Sequence, residues 1–249
     1  MKQTTSVGVR FTETMRGHIA LGDGHAHAAA ESEGRLQRHT LTFTVTVTFD
    51  DLDAMIADPN HAGRITGTVD APVLGAGLLT VEDGVFELFK TDPGAAQCAL
   101  MVYRMLLRGD GKSFRLKGTK TLRDDGGFDM WRDSTTLAVD IEDLDGAVVA
   151  RGIARISVSD FARQLSTMRA VNAPSTASGL RAVSRFGLFF QNKMRSIYGR
   201  MFAPRERLMA ASERQRRALR CGEGERIPIR TQDGVELKLT RFKGGDKGP

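Results

Sequence analysis

The sequence predicts a mainly β protein: an antiparallel barrel of about eight or nine strands followed by two helices. Three observations lead there. The stretch RHTLTFTVTVTFDD, residues 38–51, puts Leu41, Phe43, Val45, Val47 and Phe49 on one face and Thr42, Thr44, Thr46 and Thr48 on the other, the period-two alternation of a strand with one buried face. Asp-Gly steps recur between later apolar runs, and glycine accepts the positive φ that tight hairpins need. Two helical patterns close the series, around residues 159–168 and 180–201.

The elements follow in order. Residues 7–19 read as a first strand with Val7, Val9 and Phe11 alternating, and residues 22–37, polar and rich in Gly, Ala and His, read as a loop. After the threonine strand, Asp50 or Asp51 is placed to cap a short helix carrying Leu52, Met55 and Ile56, which Pro59 forbids from continuing. Strands are expected at 64–70, then at 77–82 and 85–90 as a hairpin across Glu82-Asp83-Gly84. Further hairpins join 98–108 to 113–123 across Gly109–Gly111, and 134–142 to 147–158 across Asp145-Gly146. Closing such a meander into a barrel removes its two aggregation-prone edges. CALMVYRMLL, residues 98–107, is apolar on both faces, so the helices downstream are expected to cover its outer side. The first starts at a capping Ser159 or Asp160 and carries Phe161, Leu165 and Met168. The second, from about Leu180 to Met201, carries Val183, Phe186, Phe190, Met194, Ile197 and Met201 on one stripe.

A chain of 249 residues that is 41% hydrophobic has material for one large β domain with appendages. No run approaches the ~18 apolar residues of a membrane span, and the N-terminus lacks the apolar core of a signal peptide. Cys98 falls in an apolar strand and Cys221 in a charged connector; a disulfide between them is not expected, and a reduced cytoplasmic setting fits. The net charge of +6 is uneven. Residues 181–220 hold 11 Lys and Arg against 2 Asp and Glu, a local +9, and residues 221–249 hold 6 against 5. The remainder, residues 1–180, is therefore acidic, at −4. An acidic body, few aromatics and no binding motif argue against nucleic acid.

No catalytic motif closes. RGDGKS, residues 108–113, has Leu106 where a phosphate loop needs its first glycine, and reads as a hairpin tip. There is no G-x-G-x-x-G and no G-x-S-x-G, and Ser178 reads as a connector or helix start. His25 and His27 are two metal-type ligands where a site needs three or four. RDDGGFDMWRD, residues 123–133, concentrates Asp124, Asp125, Asp129, Asp133 and the single Trp131. It reads as a wide turn with an aromatic anchor; acid–base work by Asp124, Asp125 and Asp129, or by Tyr103 with Arg104, is the enzymatic alternative. The phenylalanine-rich helix, with Arg181, Arg185, Lys193, Arg195 and Arg200, has three readings: packing on its own barrel, docking on a partner domain, or lying on an anionic membrane surface.

Several stretches carry a resemblance. VRFTETMRG, LTFTVTVTFDDLDAMIADPNHAGRITGTV, GFDMWRDSTTL and DFARQLSTMRAVNAPS with the later RFGLFF resemble a module of large bacterial proteins. Those are cholesterol-oxidase-like members of the glucose-methanol-choline oxidoreductase family, in which the module follows a flavin domain and precedes an α/β-hydrolase domain. The resemblance covers about residues 7–202 and brings no catalytic residues with it. RIPIRTQDGVELKLTRFKGGDKGP, residues 226–249, is similar to the opening strands of α/β-hydrolases, with a hairpin about Asp233-Gly234. The nucleophile, acid and histidine of that fold and the flavin fingerprint are absent from this chain. The resemblance thus implies an accessory module joined to a hydrolase stub, a fragment of a larger frame, with FAD only in a neighbouring domain.

The expectation is a roughly calycin-like or lipocalin-like barrel with its first packing helix over residues 1–175. A basic amphipathic helix and linker follow over 176–222, and a hairpin over 223–249. The expected function is a non-catalytic, lipid- or sterol-associated accessory domain, with no cofactor or metal of its own. Alternatives are a self-sufficient barrel enzyme and a peripheral membrane adaptor. Expected partners are a flavin-oxidase or hydrolase domain, an apolar small molecule, and a membrane surface met through Phe186, Phe190, Arg185 and Lys193. Met101, Tyr103, Met105 and Trp131 are the candidate ligand-lining residues, methionine because it adapts to irregular apolar shapes; the competing reading is that they simply fill a small barrel.

Overall fold

The computed structural model describes residues 6–91, 98–123, 130–198, 225–230 and 236–241, and places two compact units, 1–202 and 203–249. Eight antiparallel strands of the first unit form a closed meander: β1 Gly8–Leu21, β2 Thr40–Phe49, β3 Ala62–Asp70, β4 Leu78–Thr91, β5 Cys98–Gly109, β6 Lys112–Arg123, β7 Thr136–Glu142 and β8 Val148–Arg155. Each pairs with the next, and β8 pairs back onto β1 from Arg16↔Arg155 to Leu21↔Ala150. At the start of the same edge, Gly8–Arg10 of β1 pairs with β9, Arg169–Val171. Between the two, the Thr167 hydroxyl bonds the Thr12 backbone, and the ladder from β8 to β1 gives the closure expected of a long meander.

The threonine strand does what its alternation requires. Leu41, Phe43, Val45 and Val47 are fully buried in the core, and Phe49 nearly so. Its threonines face outward, where Thr46 and Thr44 hydrogen-bond Thr12 and Thr14 across the β1–β2 pair at 2.8 and 3.2 Å. Two of the three Asp-Gly hairpins form. Asp110 and Gly111, at φ 46° and 74°, make the tight turn between β5 and β6, and Gly146, at φ 91°, serves between β7 and β8. The third does not. Glu82-Asp83-Gly84 lies inside the single long strand β4, whose register against β5 shifts between Val81 and Asp83. A β-bulge absorbs the step that the sequence presents as a turn, and an added Cβ on Gly84 would press on Ile65 at 2.7–2.8 Å.

Among the described residues, five α-helices decorate the barrel. Residues expected as a loop form α1, His27–Leu36, which packs on β1 and β8. Short α2, Leu52–Ala57, is capped by Asp51, whose carboxylate accepts from the Ala54 amide at 2.9 Å. Helix α3, Met130–Thr135, stands where a wide turn was expected. Helix α4, Val158–Thr167, starts earlier than expected and takes Ser157, not Ser159 or Asp160, as its cap. Helix α5, Thr176–Ile197, opens with a capping box between Ser175 and Ser178.

Neither α4 nor α5 covers the outer face of β5, contrary to expectation. Helix α4 lies on β1, α5 lies against β1, β9 and α2, and Leu100 and Leu106 stay partly exposed on β5. Helix α5 instead turns its phenylalanines to one barrel mouth. Phe186 is buried with its ring 6.1 Å from Phe11 and 5.6 Å from Phe49, and Phe190 lies 5.1 Å from Phe89. At the opposite mouth a 3-10 turn, Pro72–Leu74, buries Leu74. In the second unit, β10 Glu225–Arg230 pairs antiparallel with β11 Glu236–Arg241, the hairpin the sequence predicts.

Candidate functional site

Strand alternation that fills the barrel with apolar side chains also carries two charges into it. Along β1, Val9, Phe11, Glu13 and Met15 point inward, and Glu13 is only 2% exposed. Along β6, Leu116, Lys120 and Leu122 are buried on one face, Lys120 at 3%. Tyr103, at 1%, enters from the inward face of β5 between Met101 and Met105, both buried. The three polar groups meet in the lumen. Lys120 Nζ is 3.6 Å from Glu13 Oε2 and 5.2 Å from the centre of the Tyr103 ring, within cation–π range. The Tyr103 phenol faces the Glu13 carboxylate. Phe86 and Phe43 flank the phenol at 4.7 and 6.3 Å between ring centres.

The electrostatics follow from this confinement. Burial raises the Tyr103 phenol well above the usual range, and the adjacent Glu13 charge with its hydrogen bond reinforces that shift. Desolvating a carboxylate and an ammonium costs several kcal/mol each, offset only by good mutual geometry and hydrogen bonds. Here the offset is incomplete, because Glu13 Oε1 is buried with no hydrogen-bond partner. An unsatisfied buried acceptor costs roughly 1–3 kcal/mol. The cluster is thus an acceptor in search of a donor, held at the centre of an apolar tube.

The candidate ligand-lining residues divide. Met101, Tyr103 and Met105 line the lumen together. Trp131 does not join them: it lies on α3, 43% exposed, edge-on to Phe161 at 5.3 Å. Arg104 cannot act with Tyr103, because consecutive strand residues face opposite sides; it points outward and binds Glu87 at 2.8 Å. Asp124, Asp125 and Asp129 lie outside the described residues. Asp133 accepts from the Tyr198 hydroxyl at 3.2 Å. His27 lies 3.2 Å from Asp140, and among the described residues no group of His, Cys, Asp or Glu is arranged to hold a metal. Of the residues set against a membrane surface, Phe186 is buried at the barrel mouth and Arg185 pairs with Asp53. Among the described residues no helix is long and apolar enough to cross a membrane.

Among the described residues, two of the surface clefts flank the barrel. One, of about 430 Å³, opens at the mouth closed by the 3-10 turn and is walled by Leu21, Val73, Leu74, Lys112, Phe114 and Val149. The other, of about 690 Å³, lies where α4 meets β8 and contains Arg16, Arg155, Arg163, Ser157 and Asp160. Arg16 and Arg155 sit directly opposite across the β1–β8 pair, where like charges repel. Each is neutralised by a carboxylate from a covering helix, Asp160 of α4 on Arg16 and Glu31 of α1 on Arg155. Arg155 holds the Glu31 carboxyl below its ordinary value, chiefly through their hydrogen bonds. These pairs fasten two helices to the wall, so this cleft is accounted for structurally.

The sequence carries a signal for both Glu13 and Lys120. The spacing Val9, Phe11, Glu13, Met15 places a charge on an apolar face, as does Leu116, Gly118, Lys120, Leu122. Comparison with known proteins adds no further guide: no family model, no curated protein and no solved structure matches the chain.

Proposed function

We propose that the chain is a non-catalytic accessory module whose barrel receives an apolar small molecule, oriented by the Glu13–Tyr103–Lys120 cluster. The observation that carries this reading is the partnerless Glu13 oxygen inside an apolar lumen. Apolar walls with a few convergent polar groups are the common form of a small-molecule site. An eight-stranded barrel is just wide enough to be filled by its own side chains or to hold one small ligand. Met15, Met101 and Met105, unbranched and deformable, are the side chains that would give way. The cleft walled by Leu21, Val73, Leu74, Phe114 and Val149 provides an apolar approach to one mouth.

The larger setting rests on the resemblance: a lipid- or sterol-handling assembly in which a flavin-oxidase or hydrolase domain works beside this module. A second reading, a purely structural barrel, is favoured by one observation, that both mouths are closed by the chain's own Phe186 and Leu74. Titration with a neutral solvatochromic dye separates the two. The ligand reading expects one dye per chain, with binding abolished in Ala150→Leu, which adds bulk to the lumen wall while thermal melting confirms the fold. A wild-type chain that takes up no dye, or takes it up without saturation, leaves the structural barrel as the answer.

A further inference from the structure

We infer that the lumen selects molecules by their head group, taking a neutral hydroxyl in preference to a ketone or a carboxylate; this rests on the ligand reading above and names its substrate class. Glu13 and Lys120 carry opposite formal charges and lie 3.6 Å apart, so the pair adds no net charge to the lumen. An anionic head would bring an uncompensated charge into a site of low dielectric, the costliest thing such a site can hold. A cationic head would meet the ammonium of Lys120. A neutral head adds nothing to the balance.

Donor bookkeeping narrows the choice among neutral heads. The donors that face the cluster from the protein, the Tyr103 hydroxyl and the Lys120 ammonium, leave one Glu13 oxygen unserved. The open position is Glu13 Oε1, an acceptor with no partner. A carbonyl head offers only lone pairs and leaves that oxygen as it is. An alcohol donates its proton to Oε1, supplying the hydrogen bond that oxygen lacks. The aromatic wall of Phe43 and Phe86 beside the phenol leaves the rest of the molecule to be apolar. A hydrogen bond to a charged acceptor, against an unsatisfied acceptor, corresponds to roughly tenfold to hundredfold in affinity.

The test uses the full chain and three probes of matched length: n-decanol, methyl octyl ketone and decanoate, each titrated against bound dye. The expected order is decanol tightest by about tenfold or more, with decanoate weakest. Equal affinities, or decanoate tightest, overturn the head-group inference while leaving the lumen reading intact. Failure of all three to displace dye, or of the dye to bind, overturns both. Glu13→Gln supplies the reciprocal check. It leaves Lys120 uncompensated, so the preference should swing from decanol to decanoate; an unchanged order would show that Glu13 does not read the head group. Should that variant fail to fold, the wild-type order decides alone.

Discussion

At the scale of single residues the barrel's most expensive feature is its buried charge pair. Removing one partner strands the other, at a cost of about 3–5 kcal/mol, whereas replacing both with apolar or neutral groups of similar volume is often close to neutral. Glu13→Gln and Lys120→Met are therefore each expected to destabilise the chain by about that amount, and the double variant by much less than either, as read from urea unfolding midpoints. Additive losses would show that the two groups do not interact. Tyr103 gives a second expectation. Its folded-state ionisation is raised above the ordinary value of 10.0, so it contributes stability that is fully present below pH 10 and lost as pH rises through the folded value. Of the two tyrosines, Tyr103 should ionise only with alkaline unfolding, seen as a late step in phenolate absorbance that vanishes in Tyr103→Phe. Both charged residues could be found by counting alternate positions along two strands. What the sequence withholds is that β1 and β6, about a hundred residues apart, face one another across a closed lumen.

At the scale of elements, ion pairs hold α1 and α4 against the wall. Glu31 binds Arg155 of β8 and Arg35 of its own helix, and its carboxyl lies below the ordinary value of 4.5. A depressed carboxyl contributes stability that is present above the unfolded value and lost as pH falls through the folded one. Glu87 behaves alike: burial raises it, but hydrogen bonds from Arg104 and Lys90 outweigh this and leave it lowered. The melting temperature should thus fall as pH drops below about 4.5, and Glu31→Gln should flatten part of that fall while lowering stability at neutral pH. Helix α1 also needs its glycine. A Cβ on Gly34 would sit 2.3 Å from the Ile19 carbonyl oxygen. Gly34→Ala should destabilise the chain and expose α1 to protease, although alanine is the better helix former by about 1 kcal/mol; a stabilised variant would contradict the close packing. The element that α1 forms was not legible as a helix. HAAAESEGRL has strong helix formers but a buried face made of Ala30, Glu31 and Gly34, so there is no apolar stripe to count. Its docking is instead electrostatic and steric, and depends on Ile19 of β1 and on Arg155 of β8, the latter more than a hundred positions away.

At the scale of the whole molecule, the closed barrel was the most legible feature, because alternation, regular turns and the avoidance of open edges all favour one architecture. Its errors came where local signals have two readings. Glu82-Asp83-Gly84 has turn chemistry, yet the strand runs through it as a bulge, since the chain gains more by continuing its ladder to β5. The phenylalanine stripe of α5 was legible as amphipathic, but periodicity alone does not say whether the partner is a membrane, another protein or the barrel's own mouth. We propose that this barrel is not merely full, but accepts a molecule beside Glu13. Methionine methyl signals test it most directly, because Met15, Met101 and Met105 lie in the lumen while Met168 and Met194 lie on α4's end and on α5. With methyl-labelled methionine and saturating n-decanol, the three lumen signals should shift together and those of Met168 and Met194 should hold still. Shifts confined to the helix methionines, with the lumen signals unmoved, would mean that the alcohol binds the surface and that the lumen is a closed core.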